Sequence, residues 1–238
     1  MSRHVGIVAC SAEGAALCYR TFCVEGAERL GPHDHPEVSM HTHSLAEYVR
    51  AIDADDWGGV ADLMLSSAGK LARCGAEVLL CPDNTIHQAL PLRRERSPLP
   101  WLHIAEVVAG VADARGFRRL AVTGTRWLVD SDVYPDALAA RGIEAVRPSP
   151  GERETIHRVI MDELVYGVFD EASTASLLGI LDRLAGEEAC DAAVLGCTEL
   201  PLVLSDANAP LPTLDSTRLL ARAALDWATG ETHAPARP

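Results

Sequence analysis

Two stretches of this chain share one build, LLCPDNTIHQAL at 79–90 and AVLGCTELPLVL at 193–204. Each is an apolar run that enters a short polar elbow and continues into a segment of helical character. Around them, short β-rich runs alternate with longer segments of helical period, the pattern of a parallel sheet joined by crossover helices. Parallel strands buried on both faces read as unbroken apolar runs, and LAVTG and AAVLG do. The elbows stand about 114 residues apart, one in each half, which suggests a repeated α/β unit. A chain of 238 residues can bury a substantial core, as one large α/β domain or as two units of roughly 100 residues each.

The pattern predicts strands over 5–9, 77–81, 119–123, 145–147 and 192–195. Helices are predicted over 14–23, 44–52, 57–73, 104–115, 131–141, 153–169, 173–184 and 216–229. The charged, proline-bearing RRERSPLPW at 93–101 is the candidate crossover between lobes. The helix LLARAALDWA follows a proline-rich stretch and is expected to return to the first lobe. The expected division is therefore residues 1–98 with 212–238 as one lobe and 99–211 as the other, with GETHAPARP a frayed tail.

Acidic residues outnumber basic ones 34 to 21, for a formal charge of -13. Such a surface repels nucleic acid and anionic membranes, which argues against both as partners. No stretch approaches the ~20 apolar residues that span a bilayer. The seven cysteines are odd in number, in a chain too long for a disulfide-stapled scaffold, and read as reduced thiols of a soluble cytoplasmic protein. GIVACSAEGAA lacks the spacing of a dinucleotide loop, and a chain with very few lysines shows no evident pyridoxal-phosphate anchor.

In open parallel sheets ligands bind outside the carboxyl ends of the strands, so two halves facing one another would enclose a cleft. Asp83 and Cys197 would enter it from opposite sides. A cysteine at a strand end that opens a helix feels the helix's positive end, which favours thiolate; its alternative is a buried small hydrophobe. A carboxylate rarely ends a buried strand unless something satisfies it, yet PDNT is also an ordinary turn or cap.

LGCTELPLVL, CPDNTIH, RETIHRVIMDELVYGVFDEAS and GTRWLVDSDVY resemble, in the same order, the aspartate/glutamate racemase superfamily, and the similarity covers nearly the whole chain. The resemblance implies a cofactor-independent isomerase with two Rossmann-like lobes related by pseudo-twofold symmetry and an active site in the interlobe cleft. It implies a small-molecule amino acid or related carboxylate as substrate, and a homodimer. In that family two cysteines flank the α-carbon and exchange its proton on opposite faces. Cys197, in the GCTE motif, inherits one role. The other cysteine usually precedes the NT of an NTxH motif, where this chain has Asp83 before Asn84, Thr85 and His87; Cys81 lies two residues earlier and deeper. A carboxyl group can also exchange a proton when burial and a thiolate neighbour raise its pKa. Ser11, Asn84, Thr85, Thr125 and Thr198 resemble the family's carboxylate cradle, although each also suits a cap or turn. Ser131 and Tyr134 are weaker candidates.

Specificity departs from the resemblance, since no Arg or Lys stands where an acidic substrate's second carboxylate would need one, and HTHS at 41–44 and His157 stand instead. The pairs HDH at 33–35 and HTH at 41–43 would share a face on a strand, a geometry that can bind metal, but no Cys or carboxylate completes a ligand spacing, and no metal is expected. Racemase or epimerase chemistry with a Cys197/Asp83 pair is the leading expectation. A decarboxylase or cis–trans isomerase of the same superfamily, or a non-catalytic binding relative, is the alternative.

Overall fold

The computed structural model describes residues 2–231; the segment expected to fray lies outside the described residues from 232 onward. The first unit holds four parallel strands, β1 (Val5–Ala9), β2 (Val38–Thr42), β3 (Val78–Leu80) and β4 (Trp101–Leu102), in the order β2-β1-β3-β4. The second holds β5 (Arg119–Thr123), β6 (Glu144–Val146), β7 (Ala192–Leu195) and β8 (Thr213–Asp215), in the order β6-β5-β7-β8. The two orders are the same. In each unit the first strand is central, the third lies beside it and the fourth closes the edge. This is the α/β fold of two Rossmann-like halves that the alternating pattern implies.

One compact unit comprises residues 2–104 with 217–231, and the other residues 105–216. Both limits fall later than the prolines at 98 and 212 suggest. The reason is the fourth strands: β4 pairs with β3 through Leu79 and Trp101, and β8 pairs with β7 through Val194 and Leu214. Hydrogen bonding, rather than the prolines before them, assigns each edge strand to a sheet.

The helices are α1 (Ala12–Leu30), α2 (Leu45–Asp53), α3 (Trp57–Arg73), α4 (Ile104–Ala114), α5 (Arg126–Val129), α6 (Val133–Ala139), α7 (Pro150–Arg158), α8 (Glu171–Gly186) and α9 (Ser216–Thr229). Strand β2 was not expected, because it is a half-exposed edge strand written in polar residues. Strands β4 and β8, of two and three residues, are too short to show a period. The single helix expected over 153–169 is three pieces: α7, a wide π turn at Val159–Glu163 and a 3-10 turn at Leu164–Tyr166 that stops on left-handed Gly167. After the elbows come 3-10 turns in place of α-helices, Thr85–Leu92 with Pro91 inside it and Leu200–Leu202 with a proline in its first turn. Pro91 removes an N–H that an α-helix would need at that point, whereas a proline in the first turn, as at Pro201, is compatible with either helix.

Each unit has its own apolar core. In the first, Val8, Tyr48, Met64, Leu71, Leu79, Ile86 and Trp101 pack together; in the second, Val146, Ile156, Ile160, Leu177, Leu181, Leu195 and Leu200 do. Helix α9 belongs to the first unit, where Arg222 forks onto Glu25 of α1 and Arg29 pairs with Asp226.

Candidate functional site

At the carboxyl edge of the first sheet, β1 runs into Cys10 and Ser11, and β3 runs through Cys81 into Asp83, Asn84 and Thr85. These strands are neighbours, so the candidates Ser11, Asp83, Asn84 and Thr85 gather at one end of one sheet. Ser11 caps α1, its Oγ accepting from the Gly14 N–H at 3.3 Å; a hydroxyl used this way still has its own hydrogen to donate. Asp83 is half-buried and its Oδ1 accepts from the Ile86 N–H at 3.3 Å, which is the cap role weighed for PDNT. Asn84 is buried and is the residue from which the 3-10 turn starts, yet its side chain makes no cap hydrogen bond.

Two thiols stand beside this carboxylate. Burial first, and then Asp83, push the Cys10 and Cys81 thiols well above the ordinary range, and Cys10 hydrogen-bonds the Asp83 side chain. Cys81 is fully buried, with Sγ 3.8 Å from the Asp83 carbonyl. It lies deeper than the elbow residue Asp83, fully buried where Asp83 is half-buried. His87, also fully buried, donates from Nε2 to the Cys81 carbonyl at 3.0 Å and ties the turn back onto the strand end. Its ring meets that of His103 edge to face, with centroids 4.4 Å apart.

At the carboxyl edge of the second sheet, β5 leads to Thr125 and its neighbour β7 to Cys197, Thr198 and Glu199. Thr125 caps α5, with Oγ1 accepting from the Leu128 N–H at 3.4 Å. The helix end expected behind Cys197 is a three-residue 3-10 turn, too short to supply a macrodipole. A carboxylate stands there instead: Cys197 Sγ donates to Glu199 Oε2 at 2.9 Å, and Thr198 Oγ1 donates to the same oxygen at 2.8 Å. Glu199 is 6% exposed. The Thr198 hydroxyl hydrogen expected for a substrate carboxylate is thus directed at Glu199. The sequence signal for Glu199 was the last letter of GCTE, and for Cys10 its place at the end of the first apolar run.

The histidines have other partners. His33 sits in a turn and His35 in the irregular stretch after it, neither on a strand. His41 and His43 do alternate along β2 and its end, but the Lys70 ammonium donates to His41 Nε2 at 2.9 Å, so Nδ1 carries the proton to Ser67 Oγ, also at 2.9 Å. His43 pairs with Ser66. A cation beside His41 opposes metal binding, and among the described residues no group of three or more His, Cys, Asp or Glu is placed to hold a metal ion. His157 accepts from the Arg126 N–H and abuts Trp127. Ser131 bonds the Leu128 carbonyl and Tyr134 is buried in the core, so turn and packing account for both.

The fold and the residues at its strand ends define an α/β protein of two repeated parallel sheets, one ending in a carboxyl group among thiols and the other in a thiol bonded to a carboxylate. Residues 7–224 match the Asp/Glu/Hydantoin racemase family, and the chain belongs to that family of isomerases. It is similar to a candidate Asp/Glu racemase from Yersinia pestis, with a TM-score of 0.89 and 27% identity over 95% of this chain and 99% of that one. A structure of an aspartate racemase homologue from Pyrococcus horikoshii has the same fold, with a TM-score of 0.85 and 24% identity over 96% of this chain and all of that one (100%). The broad specificity amino-acid racemase RacX of Bacillus subtilis is 22% identical over 192 residues, 79% of this chain and 80% of that protein. No helix among the described residues is long and apolar enough to cross a membrane.

Proposed function

We propose that this protein is a cofactor-independent amino-acid racemase or epimerase that exchanges the α-proton through Asp83 and Cys197. The observation that carries this reading is that the third strand of each repeated sheet ends in an elbow bearing a proton-exchanging side chain, Asp83 after β3 and Cys197 after β7. A substrate α-proton is taken by whichever group is ionised, and the protonated partner delivers to the other face. With Asp83 ionised, its carboxylate takes the proton while the Cys197 thiol supplies one, leaving a carboxylic acid and a thiolate. The reverse turnover restores the first state. One anionic and one neutral group is the charge state a 1,1-proton shift requires.

Negative charge spreads onto the substrate carboxylate as the α-proton leaves. Hydroxyl and amide donors then gain in value, which is the role proposed for Ser11, Asn84, Thr85 and Thr125. Thr198 joins them only by giving up its bond to Glu199. The substrate is not confined to aspartate or glutamate: Lys70 is committed to His41 and Arg126 to Glu154, and similarity to a broad-specificity racemase agrees with a wider range. A homodimer acting on small molecules in the cytoplasm completes the reading.

The test is a panel of D- and L-amino acids followed by polarimetry. Wild type racemises at least one of them; Cys197→Ser and Asp83→Asn each lower kcat by roughly 100-fold or more, with Cys197→Ser the more complete loss. Unchanged turnover in either variant would remove that residue from the mechanism. A wild type that is inert on the whole panel would favour the decarboxylase, isomerase or binding alternatives.

A further inference from the structure

Between α7 and α8 the chain reads DELVYGVFDE over 162–171, an apolar turn bracketed by two carboxylates on each side. Leu164 is buried in the core of the second unit, and left-handed Gly167 turns the chain soon after it. Val165, Tyr166, Val168 and Phe169 face outward, 39%, 77%, 50% and 56% exposed. Single exposed apolar side chains need no explanation, but four within five residues mark a surface that something covers. Topology sets this turn beside the second elbow. The far end of α8 is fixed before the start of β7, where the Cys190 N–H donates to the Leu184 carbonyl at 3.0 Å. From Leu184 back to Glu171 the helix runs about 20 Å, and from Cys190 forward to Cys197 the chain runs at most ~23 Å. As a crossover helix α8 lies antiparallel to β7, so its start is level with Cys197, at the strand ends where ligands of parallel sheets bind. On the other side of the turn, His157 of α7 accepts from the Arg126 N–H just past the end of β5. Leu164 also shares an apolar cluster with Leu200, against which Cys197 packs.

We propose that the turn over Val165, Tyr166, Val168 and Phe169 receives the substrate's side chain, and that the preferred substrates are amino acids with aliphatic or aromatic side chains and no second carboxylate. This deepens the proposed function and rests on its placing of the substrate at Cys197. Charge around the turn favours the same class. Arg158 donates to Glu163 at 2.6 Å, Arg126 pairs with Glu154 at 3.4 Å, and Arg153 pairs with Asp130, so these cations are already matched. Asp162, Asp170 and Glu171 flank the apolar side chains, and a second substrate carboxylate there would meet like charge. An apolar side chain gains instead the burial that these four residues lack. A second copy of the chain is the weaker occupant, because four side chains fall short of the ~800 Å² per partner that a stable dimer buries.

The experiment measures kcat and KM for alanine, leucine, phenylalanine and aspartate by chiral chromatography, each enantiomer offered separately. In parallel, calorimetry follows binding of L-phenylalanine and L-aspartate to the Cys197→Ser protein. Wild type should favour leucine and phenylalanine over aspartate by roughly tenfold or more in kcat/KM. The double substitution Tyr166→Ser with Phe169→Ser should lower kcat/KM for phenylalanine roughly tenfold, chiefly through KM, with a smaller loss for alanine, whose methyl group is too short to gain much from the turn. Phe169→Arg supplies a cation and should move the preference toward aspartate. Both positions are more than half exposed, so the variants should melt with wild type. A wild-type preference for aspartate, or an unchanged rank order in the double variant, overturns the inference. A double variant that changes oligomeric mass while keeping the rank order assigns the turn to a second copy and overturns it as well. If no amino acid is racemised, yet calorimetry shows a preference for phenylalanine that is lost on adding Tyr166→Ser and Phe169→Ser, the racemase reading fails and the side-chain surface stands. If phenylalanine is neither bound nor turned over, the inference falls.

Discussion

At the scale of single residues, the first elbow is tied to its strand by an imidazole that burial keeps from taking up a proton. His87 is held neutral: burial, and secondarily Arg94, lower its pKa to about 4 from 6.5, against the opposing pull of the Cys81 carbonyl. His103 is pushed to about 2 by burial and by His87. Between pH 6.5 and 4 the unfolded chain therefore binds protons that the native state refuses, so stability is complete above the unfolded value and drains as pH falls. For His87 alone the loss amounts to about 3 kcal/mol across that window. Denaturant unfolding from pH 7.5 to 4 is expected to show a steep decline, and His87→Gln, which keeps a donor for the Cys81 carbonyl but does not titrate, should lower the slope by about one proton. An identical slope in the variant would show that His87 is not the group responsible. The sequence made Asp83, Cys197 and their neighbours legible because short motifs fix residue identity. It hid Glu199 and Cys10 because their importance lies in what their side chains touch: a contact two residues along a tight turn, and one across adjacent strands, have no periodic trace.

At the scale of elements, the strand-to-elbow transition in the second unit depends on a missing side chain. Gly196 donates its N–H to the Thr123 carbonyl at 2.9 Å, and a Cβ there would lie 2.6 Å from that same oxygen and 2.6 Å from Leu128 Cδ2. A leucine side chain can turn aside; a backbone carbonyl in a parallel sheet cannot without dragging β5. Gly196→Ala should therefore destabilise by about 1–3 kcal/mol and, by shifting the next residue, Cys197, cut turnover well beyond what stability explains. Gly179→Ala, in α8 where a Cβ meets nothing within 4 Å, serves as contrast: it should stabilise by about 0.5–1 kcal/mol and leave turnover alone. Thermal melts and rates on the two proteins check both. Long central strands such as β1 and β5 were readable from their apolar runs. Edge strands were not: β2 alternates polar residues on a half-exposed border and β4 spans only two residues. The elbow helices were misread because a 3-10 turn and an α-helix begin with the same apolar content, and only in the first elbow does a proline inside the segment, Pro91, remove a donor that an α-helix would use.

At the scale of the whole molecule, repetition of one strand order in two units explains why the elbows look alike, while their contents differ: carboxylate among thiols in one, thiol on carboxylate in the other. Unlike acids make a two-base reaction traceable by isotope. In deuterated water the group on the product's face has exchanged with solvent, so the product should carry deuterium at the α-carbon. The group on the substrate's face holds the protium it removed and returns it on reversal, so substrate recovered at low conversion should remain unlabelled. A single base serving both faces would instead return hydrogen from one pool to either face, so product and recovered substrate would carry the same label. The single variants sharpen the case. Cys197→Ser retains Asp83 and should wash deuterium into one enantiomer without inverting it; Asp83→Asn retains Cys197 and should label the other. Proton NMR of the α-position, with each enantiomer offered separately, reads all of this. If both variants label the same enantiomer, Asp83 and Cys197 act on one face and the two-base scheme is wrong, whatever the residual rates.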